Sequence, residues 1–162
     1  YLHLSIRRQR QMCIRDRFGA DHTINIEEFN TADARVNRIW ELTQGRGADI
    51  VIELVGRSEL LGEGIKMLSN GGTFIEIGNI VPGQTVEIDP AIMLRGKKII
   101  GSMMYQPHLI PRALDFVARN LTSRPFEKMI SHKFKLGDVN EVFPSAEWFQ
   151  RETPVTRAVL VP

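Results

Sequence analysis

Residues 18–162 predict an α/β fold, part of a doubly wound parallel sheet. Extended apolar runs alternate with amphipathic helical stretches. The runs read as apolar on both faces, as buried parallel strands do, and three of them end in glycine. In chain order, "DHTINI" (21–26) is a short extended candidate, and Thr31 stands where an N-cap is needed. The helix that follows places Val36, Ile39, Trp40 and Thr43 on one stripe and ends at Gly45. "ADIVIELVG" (48–56) is a strand whose single acid past its start is Glu53. Ser58 is then expected to cap the helix in "SELLGEGIKMLSNGG", with Leu61, Ile65 and Leu68 on one face and Gly71 and Gly72 as its stop.

"TFIEIG" (73–78) and "KKIIGSMM" (97–104) are further buried strands. Between them lie a short strand, "TVEID", from Thr85 to Asp89, and a helical turn beginning at Pro90. The helix "LIPRALDFVARN" carries Leu109, Ala113, Phe116 and Val117 on one side and accepts Pro111 in its first turn. After Asn120 the pattern changes. "FEKMISHKFKL" alternates like a half-exposed strand, "GDVNEVFPSAEWFQ" reads as a short helix interrupted at Pro144, and "TRAVLVP" as a final strand.

Residues 1–17 stand apart. Arg7, Arg8, Arg10, Arg15 and Arg17 face only Asp16, so the formal charge of +2 on the whole chain is local to this segment. The remainder is mildly acidic and has no basic stripe. An organellar transit peptide would call for more serine than Ser5 alone, and an arginine arm on nucleic acid would call for a basic body behind it. "RRQRQMCIRDR" resembles instead a sequencing adapter translated in frame, so 1–17 is expected to be a non-native segment with the biological sequence opening near Phe18. The remaining length suits a domain with a sizeable core, and no apolar run approaches the roughly 20 residues of a membrane span. The chain's one cysteine, Cys13, lies in the set-aside segment, which excludes disulfides and any cysteine-ligated zinc within this chain. No secretion signal is recognisable, and a cytoplasmic protein is expected.

In open parallel sheets, ligands lie at the carboxyl ends of the strands. Gly56, Gly78 and Gly101 sit at three such ends, where a bare Cα lets a ligand approach the backbone. The phosphate-binding GxGxxG loop is missing: Gly45 and Gly47 precede a strand instead of following one, and Gly62 and Gly64 lie inside a helix. His3, His22, His108 and His132 have no partners at zinc-ligand spacing and read as surface or turn residues. Glu53 and Glu76 read as hydrogen-bonded strand-end carboxylates in preference to catalytic ones. No catalytic residue and no metal ligand is assigned.

The ordered pieces "GADHTIN", "TQGRGADIVIELVG", "LSNGGTFIEIGN", "KKIIGSMM", "SHKFKLGDVNEVF" and "TRAVLVP" closely resemble the C-terminal part of the medium-chain dehydrogenases/reductases, the zinc-containing alcohol dehydrogenase group. The resemblance implies a partial Rossmann cofactor domain over 18–124 and, over 125–162, the C-terminal return segment of the catalytic domain. It implies a parent enzyme that moves hydride between NAD or NADP and a small-molecule alcohol, polyol or ketone. The zinc ligands and the GxGxxG loop of the family precede Phe18 and have no counterpart here, so the chain alone is expected to be inactive. Leu54, Val55 and Gly56 would flank the adenosine side of the cofactor. Ile77, Gly78 and Asn79 would line the nicotinamide, with Ile100, Gly101 and Ser102 nearby, and Arg157 would reach the pyrophosphate. The strand 85–89 would pair across a homo-oligomer. The alternatives are a zinc-independent quinone or enoyl reductase of the same superfamily and, in another class, a nucleic-acid-binding protein acting through the arginine arm. The leading reading involves neither nucleic acid nor membrane.

Overall fold

The computed structural model describes residues 18–79, 82–140, 142 and 158–162. They group into two compact units: Ile24–Tyr105, and Gln106–Pro162 together with the residues before Ile24. The arginine-rich segment, most of the interrupted helix around Pro144, and Arg157 lie outside the described residues.

The unit Ile24–Tyr105 is built on a parallel sheet of β1 (Ala48–Glu53), β2 (Leu68–Glu76) and β3 (Lys98–Gly101), with β2 in the centre. Its register pairs Val51 with Phe74 and Phe74 with Ile99, and aligns Glu53, Glu76 and Gly101 at the carboxyl edge. Helix α1 (Ala32–Leu42) begins as its sequence predicts, with Thr31 Oγ1 accepting a hydrogen bond from the Ala34 amide at 3.1 Å. Val36 is buried, and Ile39 and Trp40 are half-buried. Thr43, expected on the apolar stripe, is a polar terminator: its hydroxyl donates to Ile39 O at 2.7 Å and accepts from the Gly47 amide at 2.9 Å.

Helix α2 (Glu59–Met67) packs against α1, β1 and β2. Arg35 on α1 forks onto Glu63 on α2, Nε to Oε1 at 2.6 Å and Nη2 to Oε2 at 2.7 Å, and its Nη1 donates to Phe29 O at 2.9 Å. This planar bidentate geometry fixes the helix pair better than a point charge would. Two expectations for α2 fail. Ser58 has helical backbone angles and makes no capping hydrogen bond. Gly71 and Gly72 do not stop the helix, which ends at Met67 where Leu68 turns extended. Its last carbonyls find long-range donors, Trp40 Nε1 to Lys66 O at 3.0 Å and Lys97 Nζ to Ile65 O at 2.8 Å. Gly71 and Gly72 sit in an irregularity of β2 instead: Ala48 pairs with Leu68 but Ile50 already pairs with Thr73, so residues 69–72 loop out, with Gly71 at φ +76°.

The core is Ile65, Leu68 and Phe74, each fully buried, surrounded by Val51, Leu61, Ile88, Ile92 and Met93. It occupies the side of the sheet that faces α2. The outer strands are not buried on both faces as their apolar runs predicted: Ile50 is 60% exposed, Ile52 53% and Ile100 50%. Ile50 and Ile52 alternate with Val51, which pairs with the buried Phe74, so β1 and β2 are covered on one face, whereas β3 is exposed along its whole length, Ile99 included at 43%. Two further candidates are not strands. Residues 21–26 join no sheet and run into a turn in which Asn25 O accepts from the Phe29 amide at 2.9 Å. Residues 85–89 also join no sheet; Asp89 instead caps the 3-10 turn Pro90–Met93, its Oδ1 accepting from the Ala91 amide at 2.9 Å. Without a neighbouring strand, local β propensity alone does not make a ladder.

The second unit contains helix α3 (Leu109–Asn120), with the bounds its sequence predicts, and a parallel pair of β4 (His132–Lys135) and β5 (Ala158–Val161). The half-exposed strand expected over 126–136 divides into the 3-10 turn Phe126–Met129 and β4, which alternates half-buried and exposed residues. Phe126 stacks edge-on with Phe18 at 5.6 Å and with Phe116 at 6.4 Å between ring centroids. No helix among the described residues is long and apolar enough to cross a membrane.

Candidate functional site

The three strands of the first unit end level, so the loops leaving β1, β2 and β3 form one continuous rim. Of the residues singled out in sequence, Leu54, Val55, Gly56, Ile77, Gly78, Asn79, Ile100, Gly101 and Ser102 all fall on this rim or its last strand residues. Leu54 and Val55 are about 70% exposed, and Ile77 is also exposed, an apolar surface beside polar backbone groups. Next to the rim, a cleft of about 140 Å³ opens between β1 and α2, lined by Leu54, Val55, Leu60, Glu63, Met67 and Phe74 among others.

A carboxylate pair underlies the rim. Glu53, only 5% exposed, turns its Oε1 back to accept from the amides of Val55 at 2.7 Å and Gly56 at 2.8 Å. Its backbone carbonyl accepts from the amides of Ile77 at 3.2 Å and Gly78 at 3.1 Å. Glu76 Oε1 accepts from the Asn79 amide at 3.1 Å, and its backbone carbonyl accepts from the Ser102 amide at 2.9 Å. The Asn79 side chain joins the two acids, with Nδ2 donating to Glu76 Oε2 at 3.0 Å and to Glu53 Oε2 at 3.4 Å. Two carboxylates on one side of the amide fix its orientation, because the flipped amide would set oxygen against oxygen. The consequence is that Asn79 Oδ1 is buried with no hydrogen-bond partner among the described residues. Both acids are thus hydrogen-bonded strand-end carboxylates.

Burial opposes the charge on Glu76, but hydrogen bonds from the backbone amide and the side chain of Asn79 outweigh it and hold the Glu76 carboxyl below its ordinary value of 4.5. A depressed folded pKa contributes stability that is fully present above the unfolded value and is lost as pH falls through the folded one. Acidification below about pH 4.5 is thus expected to erode the stability of the wild type, and Glu76→Gln should flatten that part of the urea-unfolding free energy against pH.

Two of the three rim glycines are required by the loops themselves. Gly56 has φ +82°, and a Cβ there would stand 2.6 Å from Gly78 O; a Cβ on Gly78 would strike the Glu53 carboxylate. At these two positions the β1 and β2 loops press against each other and leave no space for a side chain. At Gly101 a Cβ would meet nothing within 4 Å, so that position does border open space. An open backbone at Gly101 beside the exposed apolar flank of Leu54, Val55 and Ile77 fits one side of an aromatic ligand such as a nicotinamide. Sequence reasoning missed the bridging role of Asn79, for which one residue three positions beyond a strand gives no signal. Among the described residues no three His, Cys, Asp or Glu side chains converge in a way that could hold a metal ion.

The sequence matches the pattern of the zinc-binding dehydrogenase family over residues 5–119, which includes β1, β2, β3 and the whole rim and begins upstream of Phe18. It is 28% identical over 130 residues to sorbitol dehydrogenase 1 of Saccharomyces cerevisiae, across 78% of this chain and 35% of that relative. Among solved structures it is similar to an alcohol dehydrogenase from Thermotoga maritima, at 25% identity and a TM-score of 0.80, over 93% of this chain and 40% of that one. A Sinorhizobium meliloti protein assigned to the zinc-binding dehydrogenases and solved bound to NADP aligns at 27% identity and a TM-score of 0.61, over 72% of this chain and 32% of that one. The chain thus spans about a third of the length of the curated relative it matches. With the parallel sheet, the rim and the family pattern in agreement, the chain belongs to the zinc-binding dehydrogenase family, a family of oxidoreductases.

Proposed function

We propose that this chain is the C-terminal part of an NAD(P)-dependent, zinc-dependent alcohol or polyol dehydrogenase of the cytoplasm, and that its rim is the second half of the dinucleotide site. The observation that carries this reading is the level ending of three parallel strands, which places 54–56, 77–79 and 100–102 side by side at the edge where α/β sheets take their ligands. In the proposed complex, Leu54, Val55 and Gly56 flank the adenosine side. Ile77, Gly78 and Asn79 line the nicotinamide, beside Ile100, Gly101 and Ser102. Arg157, outside the described residues, reaches the pyrophosphate as a guanidinium does. The nicotinamide, when bound, is the group that accepts or gives the hydride. This chain's residues bind it and orient its ring.

The parent would divide into a cofactor domain containing 18–124 and a catalytic domain to which 125–162 return, and its zinc donors and GxGxxG loop would come from sequence upstream of Phe18. That arrangement accounts for the exposed Ile50, Ile52 and Ile100, which an adjoining strand and helix layer would cover. Pairing of 85–89 across a homo-oligomer would give that segment the ladder partner it lacks in the isolated chain. The non-native reading of residues 1–17 rests on their charge and their resemblance to adapter; the family match beginning at residue 5 favours a native origin for part of them.

Titrating the isotopically labelled chain with NADH tests the cofactor reading by NMR. Amide shifts concentrated at 54–56, 77–79 and 100–102 are expected, with a weak dissociation constant of about 1 mM because the phosphate loop is not in this chain. No alcohol-dependent reduction of NAD should accompany it. Shifts confined to other surfaces, or turnover by the chain alone, would contradict the proposal.

A further inference from the structure

We infer that Glu53 and Asn79 act together as positioning residues, a single tie that sets the spacing of the β1 and β2 loops; this rests on the cofactor reading above. Glu53 reaches both loops. Its carboxylate holds the amides of Val55 and Gly56 on its own loop, while its carbonyl holds Ile77 and Gly78 on the next. Asn79 closes the circuit by donating to both acids, and through the Glu76 carbonyl the same cluster reaches Ser102 behind β3. Charge-assisted acceptors are the strong members of such networks, and in a buried setting the loss of one donor leaves another group unpaired.

The bare approach of Gly56 to Gly78 explains why a tie is needed. With no side chains between them the two loops meet backbone to backbone, and hydrogen bonds hold them at that separation. The same circuit turns Asn79 Oδ1 away from the acids, where it is buried without a hydrogen-bond partner among the described residues. Glu53 and Asn79 thereby determine the width of the rim.

Two substitutions separate this role from simple support. Glu53→Gln keeps an acceptor for Val55 and Gly56 but sets an NH2 against Asn79 Nδ2, and turning the Asn79 amide to relieve that would set its oxygen against Glu76. Amide hydrogen exchange in the full chain is expected to quicken about tenfold at Ile77, Gly78 and Asn79 while Val55 and Gly56 stay protected. Asn79→Ala should quicken Ile77 and Gly78 in the same way. With far-UV circular dichroism unchanged, both variants should lose the NADH-induced shifts at 77–79, which a residue that merely supported the fold would leave in place. If Glu53→Gln alters exchange only on its own loop, or either variant keeps the NADH shifts at 77–79, the tie does not exist and the cofactor reading survives. If the wild type shows no NADH shifts at all, the cofactor reading fails and the positioning role fails with it.

Discussion

Phe74→Ala is expected to cost about 3–5 kcal/mol, the usual range for emptying a fully buried aromatic site. Phe74 sits on the central strand with no exposure, and it forms the core with Ile65 and Leu68 beneath α2. That core is small, with Val36 the only other buried apolar side chain among the described residues. Since whole domains are stable by about 5–15 kcal/mol, the substitution should remove most of the cooperative transition of this unit. Urea unfolding of the full chain followed by circular dichroism checks it: the expected result is a collapsed or missing transition, with Phe74→Leu intermediate. A midpoint within error of the wild type would mean that the sheet is held by something other than this cluster.

Gly64→Val is expected to cost about 3 kcal/mol, against the ordinary preference of helices for residues other than glycine. A Cβ on Gly64 would lie 2.9 Å from Phe74 Cδ2 and 3.2 Å from Val51 Cγ1, so α2 could accept it only by moving off the sheet. Gly62, on the same helix, is the control. A Cβ there meets nothing within 4 Å, so Gly62→Ala should stabilise by about 0.5–1 kcal/mol through helix propensity. Opposite signs two residues apart, read from the same urea midpoints, would establish that Gly64 is glycine for close packing of helix on sheet. A stabilising Gly64→Ala would refute that packing.

Much of this molecule was legible along the chain because the determining signals are local. Thr31 announces α1 by capping it, the apolar run after Gly47 announces β1, and the run from Leu109 carries its own stripe and gives α3 its bounds. The end of α2 was not legible, because its carbonyls are satisfied by Trp40 and Lys97, 26 and 32 residues away in sequence. The segment 85–89 misled for the converse reason: a strand pattern has no force without a partner strand. At the site, position was easier to read than purpose. The strand-end rule located the rim, and Glu53 and Glu76 were recognised as hydrogen-bonded acids. That Gly56 and Gly78 are glycine for each other, and that Asn79 bridges two acids, depends on contacts between loops that no local spacing encodes.

The central claim is that this chain is the cofactor-binding end of a longer dehydrogenase, and reading the source DNA across the junction between Arg17 and Phe18 tests it most directly. The account predicts an open frame continuing upstream of Phe18 into a strand, a GxGxxG loop and a helix, and beyond them a set of cysteine and histidine zinc donors. A frame with the glycine loop but without those donors would retain the cofactor site and move the parent to the zinc-independent reductases. Genomic sequence that carries the arginine segment into a start codon, with no dinucleotide fold before it, would contradict the account.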